Sequence, residues 1–215
     1  MQIRMPDGHN LPVYSAIEGM DPVEQLMRQV EAQIEENGWD QPPTFLLVSR
    51  SVEEDWLGVK AISWLPDFVY ENPGAGLLHL ARSLNRTDHP VSAVIRAATP
   101  RLVGGKAFYG LCSFTEAWMI HTAIDPELPR PTLGPDYEWP GPGPMPRDHP
   151  DRIEIRGGVM VTVDGRVLMV QRERGKFPEF WELNEGEGPI ETGGRVVDAL
   201  RMLCTVFHDQ VKSAG

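Results

Sequence analysis

Glu116 is the side chain whose placement carries the most chemical meaning in this sequence. It lies in Ala107–Thr122, the longest strand candidate, where the even positions read Phe108, Gly110, Cys112, Phe114, Glu116, Trp118 and Ile120. Side chains alternate between the two faces of a strand, so this even set predicts a core face with a carboxylate set into it. A buried carboxylate needs a cationic partner or a raised pKa, and such groups gather at functional sites. Glu116 is therefore either part of a catalytic or ligand-binding site, or one half of an ion pair with Arg96 or Arg156. Cys112 and His121 are the other catalytic candidates on this run. Their nine-residue separation corresponds to roughly 30 Å at ~3.3 Å per residue, and their opposite parity puts them on opposite faces. They cannot form a dyad with each other. A base for Cys112 would have to come from elsewhere, for example His79; otherwise Cys112 packs as a small hydrophobe.

Metal and phosphate chemistry find less support. The six histidines show no His-x-x-x-His or His-x-His pair, so no metal site is predicted. Glu185, Glu187 and Glu191 form an acidic loop that reads as solvated rather than ligating. There is no Gly-x-Gly-x-x-Gly and no Walker lysine. Asn72-Pro-Gly-Ala-Gly76 opens a helix whose first amides could hold an anion, although helix starts are far more often simply capped. No cofactor is predicted.

The elements that must position these groups begin with a helix over Pro22–Asn37. Asp21 is its N-cap, Pro22 suits the first helical position, and Asn37-Gly38 ends it. Val23, Leu26, Met27, Val30 and Ile34 form its inward stripe. Thr44–Ser49 reads as a buried strand and Trp56–Leu65 as its hairpin partner. A helix opening at Asn72-Pro73 carries Leu77, Leu80, Ala81 and Leu84 inward. His89–Ala98 suits helix better than strand. Ile153, Ile155, Val159, Val161 and Val163 alternate with polar residues, and Asp164-Gly165 predicts a two-residue turn. That turn places Val161 opposite Leu168, Val159 opposite Val170, and Arg156 opposite Glu173. A last helix spans about Gly194 to Asp209, packing through Val196, Leu200, Leu203 and Phe207.

Between Asp125 and Pro150 lie nine prolines and no periodicity, which predicts a long extended connection. Tyr137 and Trp139 sit within it, an aromatic pair suited to anchoring an interface. The organisation is thus an N-terminal α/β part (1–124), the Pro-rich connection (125–150), and a hairpin plus helix (151–215) completing the same domain. The fold class is α/β of the α+β type, a single main domain. Its sheet is mixed or mainly antiparallel, with about five to six strands and three to four helices.

Composition narrows the partners. The formal net charge is -11, which disfavours a surface for nucleic-acid backbones. The apolar runs are too short to span a bilayer, so no membrane partner is expected. The two cysteines, Cys112 and Cys204, read as buried thiols in a reducing compartment, hence a cytoplasmic protein.

Two resemblances add to this. The run GGVMVTVDGRVLMVQRERGKFPEFWEL, followed by glycine-rich acidic residues and a helix, resembles the opening of a Nudix hydrolase domain. That family's magnesium-binding Arg-Glu-x-x-Glu-Glu box is missing, because Arg201 is followed by Met202 and no glutamate pair comes after it. The likeness therefore implies a hairpin-plus-helix pattern without diphosphohydrolase activity. The strand ending Phe114-Thr-Glu-Ala-Trp118, the segment His149-Pro-Asp-Arg-Ile-Glu-Ile155 and the Val197–Leu200 helix together resemble uncharacterised actinobacterial and phage proteins. That resemblance implies a bacterial or phage setting and transfers no catalytic residue. The expected function is a non-enzymatic binding or accessory protein acting through a protein partner, with Tyr137 and Trp139 as binding residues. An enzyme or small-ligand binder with its site near Glu116 is the alternative. A homo-oligomer formed through an exposed strand edge is left open.

Overall fold

Asp21 starts the first helix as its sequence predicts. Its side chain accepts the amides of Val23 (2.9 Å) and Glu24 (3.0 Å), and helix α1 runs Pro22–Glu36 with Asn37 at its C-cap. In the computed structural model, which describes residues 19–50, 57–62, 65–84, 107–120, 152–183 and 194–213, the further elements are β1 (Thr44–Arg50), β2 (Leu57–Ala61), α2 (Asp67–Glu71), α3 (Pro73–Leu84), β3 (Ala107–Ile120), β4 (Arg152–Thr162), β5 (Val167–Glu173), β6 (Glu179–Leu183) and α4 (Gly194–Ser213). The strands form one antiparallel sheet in the order β2-β1-β3-β4-β5-β6. This is the α+β arrangement expected. β3 and β4 pair directly, so the parts before and after the Pro-rich connection share one sheet.

Each face of the sheet carries its own core. Helix α1 covers one face, where Val23, Met27, Val30 and Ile34 pack on Leu46, Val48, Cys112, Phe114, Met160 and Leu168. Helices α2, α3 and α4 cover the other, where Val69, Leu77, Leu80, Leu200 and Phe207 pack on Phe45, Leu47, Leu111, Val159 and Val161. Of the final helix's predicted contacts, Leu200, Leu203 and Phe207 are buried, while Val196 lies at the edge and Val197 points inward.

Two sequence expectations need correction. The first is that β3 has a single core face. Val48 pairs with Gly110 but Ser49 pairs with Phe108, leaving Tyr109 as an extra residue. This bulge changes the strand's parity. Phe108 and Leu111 therefore enter the α3/α4 core, while Tyr109, Cys112 and Phe114 enter the α1 core.

The second correction concerns the β4–β5 register. Val161 lies opposite Val167, Val159 opposite Met169, and Arg156 opposite Arg172 rather than Glu173. The turn has three loop residues, Val163-Asp164-Gly165, instead of two. The Gly165 amide donates to the Thr162 carbonyl (3.1 Å), and Gly165 takes φ +89°, the left-handed position such a loop requires. A one-residue slip moves each pairing, and here it sets two arginines side by side facing α1.

Candidate functional site

At the C-terminal end of α1 the sheet presents a row of charge: Glu116 on β3, Arg156 on β4 and Arg172 on β5 are consecutive cross-strand neighbours. Adjacent arginines repel, and the helix supplies the balancing carboxylates. Arg172 makes a two-pronged contact with Glu31, Nε to Oε1 at 2.5 Å and Nη2 to Oε2 at 2.7 Å. That hydrogen bonding raises the Arg172 pKa against the opposing effect of burial. The Arg156 side chain is only 1% exposed, and its donors reach Glu116 (2.8 Å), Glu35 (2.8 Å) and the Gly38 carbonyl (2.6 Å). Its guanidinium also lies 4.5 Å from the Trp39 ring centroid, with Arg174 at 5.4 Å. A buried charge persists only when its donors are used, and these are.

Glu116 thus has a definite place. One carboxylate oxygen takes Arg156, and the other accepts the backbone amide of Asp40 (2.8 Å) and, at longer range, that of Gln41 (3.3 Å). Of the two arginines named as partners, Arg156 is the one found here. Glu116 ties the loop after α1 to the sheet, and that loop holds Asp40 at φ 67°. The cavity beside Glu116 is about 10 Å³, bounded by Ile34, Gln41, Phe114 and Arg156, enough for roughly one water.

Sequence reasoning missed one cluster altogether. Asp40, Glu116 and Glu154 bring carboxylate oxygens within 4.8 Å of one another. Hard divalent cations favour such oxygen sets. Here the positive charge comes from protein: Arg156 on Glu116, and Arg174, which hydrogen-bonds Glu154 and lies 3.6 Å from Asp40. These residues are far apart in sequence, and the pairing of β3 with β4 and the docking of the loop after α1 onto Glu116 unite them.

Cys112 is 1% exposed in the α1 core, its sulfur 3.6 Å from that of Met27. Burial raises its pKa far above neutral, so it stays a thiol. His79, suggested as its base, sits on α3 across the sheet, its ring against Phe68 (centroids 5.5 Å apart). The helix start at Asn72 is capped, the Asn72 side chain accepting the Ala75 amide (3.3 Å). His121, Tyr137, Trp139, His89–Ala98 and the acidic loop Glu185–Glu191 lie outside the described residues.

The N-terminal end of α1 is built differently. Arg166, just before β5, reaches Asp21 (3.0 Å) and makes a two-pronged contact with Glu182 of β6 (2.7 and 3.0 Å). The hydrogen bond from Arg166 holds the Glu182 carboxyl below its ordinary value. Burial pushes Asp21 upward, but hydrogen bonds from Arg166 and from the Glu24 and Val23 amides outweigh it, and the net shift is downward. Arg28 is forked onto Glu24 and lies 4.1 Å from the Phe180 ring centroid. Between these groups opens a cleft of about 260 Å³, with Met27 and Leu168 as an apolar floor and Phe180, Trp181, Asp21 and Glu182 around it. Trp181 is 36% exposed, and Phe177, in the turn leading into β6, is 92% exposed. Sequence reading gave β6 no role. Its residues entered only through the Nudix resemblance, as the Trp-Glu-Leu that ends the quoted run.

No protein-family model, curated protein or solved structure matches the chain. No helix among the described residues is long and apolar enough to cross a membrane.

Proposed function

We propose that this is a non-enzymatic binding or accessory protein that acts through a protein partner, engaged at the β6 end of the sheet. The observation that carries the reading is Phe177, an aromatic ring 92% exposed on the turn entering the strand that walls the cleft. Exposed aromatics beside an apolar-floored cleft with a polar rim are the composition of an interface core. The alternative, an enzyme or small-ligand binder at Glu116, draws on the three neighbouring carboxylates. Arg156, Arg174 and two loop amides already engage them, which favours the binding reading. The resemblance to actinobacterial and phage proteins supports a bacterial or phage setting, and the two buried free thiols suit a cytoplasmic one.

A photo-crosslinking residue at position 177 tests the proposal in bacterial extract, with the same residue at position 60 on the opposite edge strand as control. The expected result is one discrete protein adduct from position 177, none from position 60, and a weaker adduct in Trp181→Ala. Loss of the adduct in the Tyr137→Ala/Trp139→Ala variant would extend the surface to the Pro-rich connection. No adduct, together with a thermal-shift response to a metabolite or metal that Glu116→Gln removes, would instead establish the Glu116 site.

A further inference from the structure

The β6 strand is the edge of the sheet, and the register says where its free backbone groups point. The Thr162 amide donates to the Arg166 carbonyl (3.1 Å), making that pair hydrogen-bonded. Bonded and non-bonded pairs alternate along an antiparallel ladder. Leu168 and Val170 therefore turn their amides and carbonyls toward β4, while Val167, Met169 and Gln171 turn theirs toward β6. On β6, Glu179, Trp181 and Leu183 face β5, and Phe180 and Glu182 direct theirs away from the sheet. Among the described residues no strand takes up that edge.

The side chains around this edge have a definite charge. Asp21, Glu24 and Glu182 lie on the α1 side of this edge and Glu179 on its other face, and among the described residues the cations beside it, Arg28, Arg166, Arg172 and Lys176, are each already paired with a carboxylate. The chain as a whole carries -11. A second copy pairing here would bring its own β6 glutamates and the same net charge against this one, whereas a cationic segment would be attracted.

Resting on the binding reading above, we infer that β6 is a strand-addition edge for an extended, basic segment of a partner protein. The segment bonds to the outward amides and carbonyls of Phe180 and Glu182. A basic side chain lies beside Glu182 and Asp21, and an apolar one lies beside Phe180 over the Met27–Leu168 floor. Main-chain bonds supply affinity in this mode, and the alternating side chains supply selectivity.

The test uses the full ¹⁵N-labelled chain and three synthetic peptides: Lys-Thr-Val-Thr-Lys, which sets valine and lysine two residues apart on one face as Phe180 and Glu182 require, its acidic twin Glu-Thr-Val-Thr-Glu, and the basic peptide N-methylated at alternate amides. The basic peptide is expected to slow hydrogen exchange at the Phe180 and Glu182 amides, bind at least about tenfold tighter than the acidic twin, and weaken as salt is raised. N-methylation abolishes binding. Glu182→Pro, which removes an outward amide, does the same, whereas Glu182→Gln retains measurable binding. Equal binding of the N-methylated peptide overturns strand addition, as does binding without protection at Phe180 and Glu182, or no binding by any peptide. Concentration-dependent protection of those amides in the free chain overturns it in favour of a second copy. If peptide binding fails while the adduct at position 177 persists, only strand addition falls; if both fail, the binding reading falls with it.

Discussion

The two ends of helix α1 meet the sheet through the same kind of chemistry and use it in opposite ways. At each end an arginine from β4, β5 or the turn between them joins a carboxylate of α1 or its cap to a carboxylate of a neighbouring strand. At the C-terminal end, Arg156 is 1% exposed, its partners include a backbone carbonyl, and the adjoining space holds about one water. At the N-terminal end, Arg166 is 27% exposed and borders a cleft of about 260 Å³ beside an edge strand. An ion pair therefore does not by itself mark a functional site. What distinguishes the ends is whether space and unused backbone groups lie next to it.

The comparison breaks most directly at Arg156. Arg156→Ala leaves Glu116 without its cation and Glu35 with only Arg172 at 3.8 Å, and the expected loss is about 3 kcal/mol in urea denaturation, the low end of the range for a buried pair deprived of one partner. A loss under about 1 kcal/mol would mean the closed end is not closed in solution. The next largest effect is expected between the two ends. A β-carbon at Gly158 would lie 2.4 Å from the Phe114 ring and 2.6 Å from Val170, so Gly158→Val should cost about 1–3 kcal/mol by overpacking the α1 core.

Arg166→Ala should cost about 1 kcal/mol or less, because its partners are 39% and 40% exposed and such pairs contribute little. The smallest expected effect is a pH dependence. Asp21 and Glu182 titrate below their ordinary values of 3.8 and 4.5, so the folded chain binds fewer protons there than the unfolded chain. Their contribution is complete above those values and is lost as the pH falls through the lowered ones. Acid titrations of stability in wild type and Arg166→Ala should therefore differ in slope below about pH 4.5 and run parallel above it.

Much of this architecture is legible in the sequence, and the failures have local causes. Helix α1 carries a cap, a stripe and a stop that agree with one another, and all five predicted stripe residues are buried. The β4–β5 hairpin is legible as a hairpin but not in register, because Gly165 is the third loop residue rather than the second. That single step hides the Arg156–Arg172 adjacency and, with it, the reason α1 needs Glu31 and Glu35. Parity along β3 fails at Tyr109, because a bulge leaves no mark on alternation. Glu116 shares the face of Phe114 but is only partly buried, its side chain 15% exposed, and its loop-clamping partners, Asp40 and Gln41, lie some seventy-five positions away. β6 is illegible because five residues following Pro178, with only partial burial, give no period to read.

The two-layered core also separates the two thiols. Cys112 lies in the single-helix layer under α1, and Cys204 in the layer built by α2, α3 and α4. Burial raises both thiols, Cys204 to about 12, so an alkylating reagent at neutral pH reaches each only when its own layer opens. Timed pulses of reagent, read by mass spectrometry on the two cysteine peptides, then clock each layer separately. Cys112, under one helix, is expected to label ahead of Cys204.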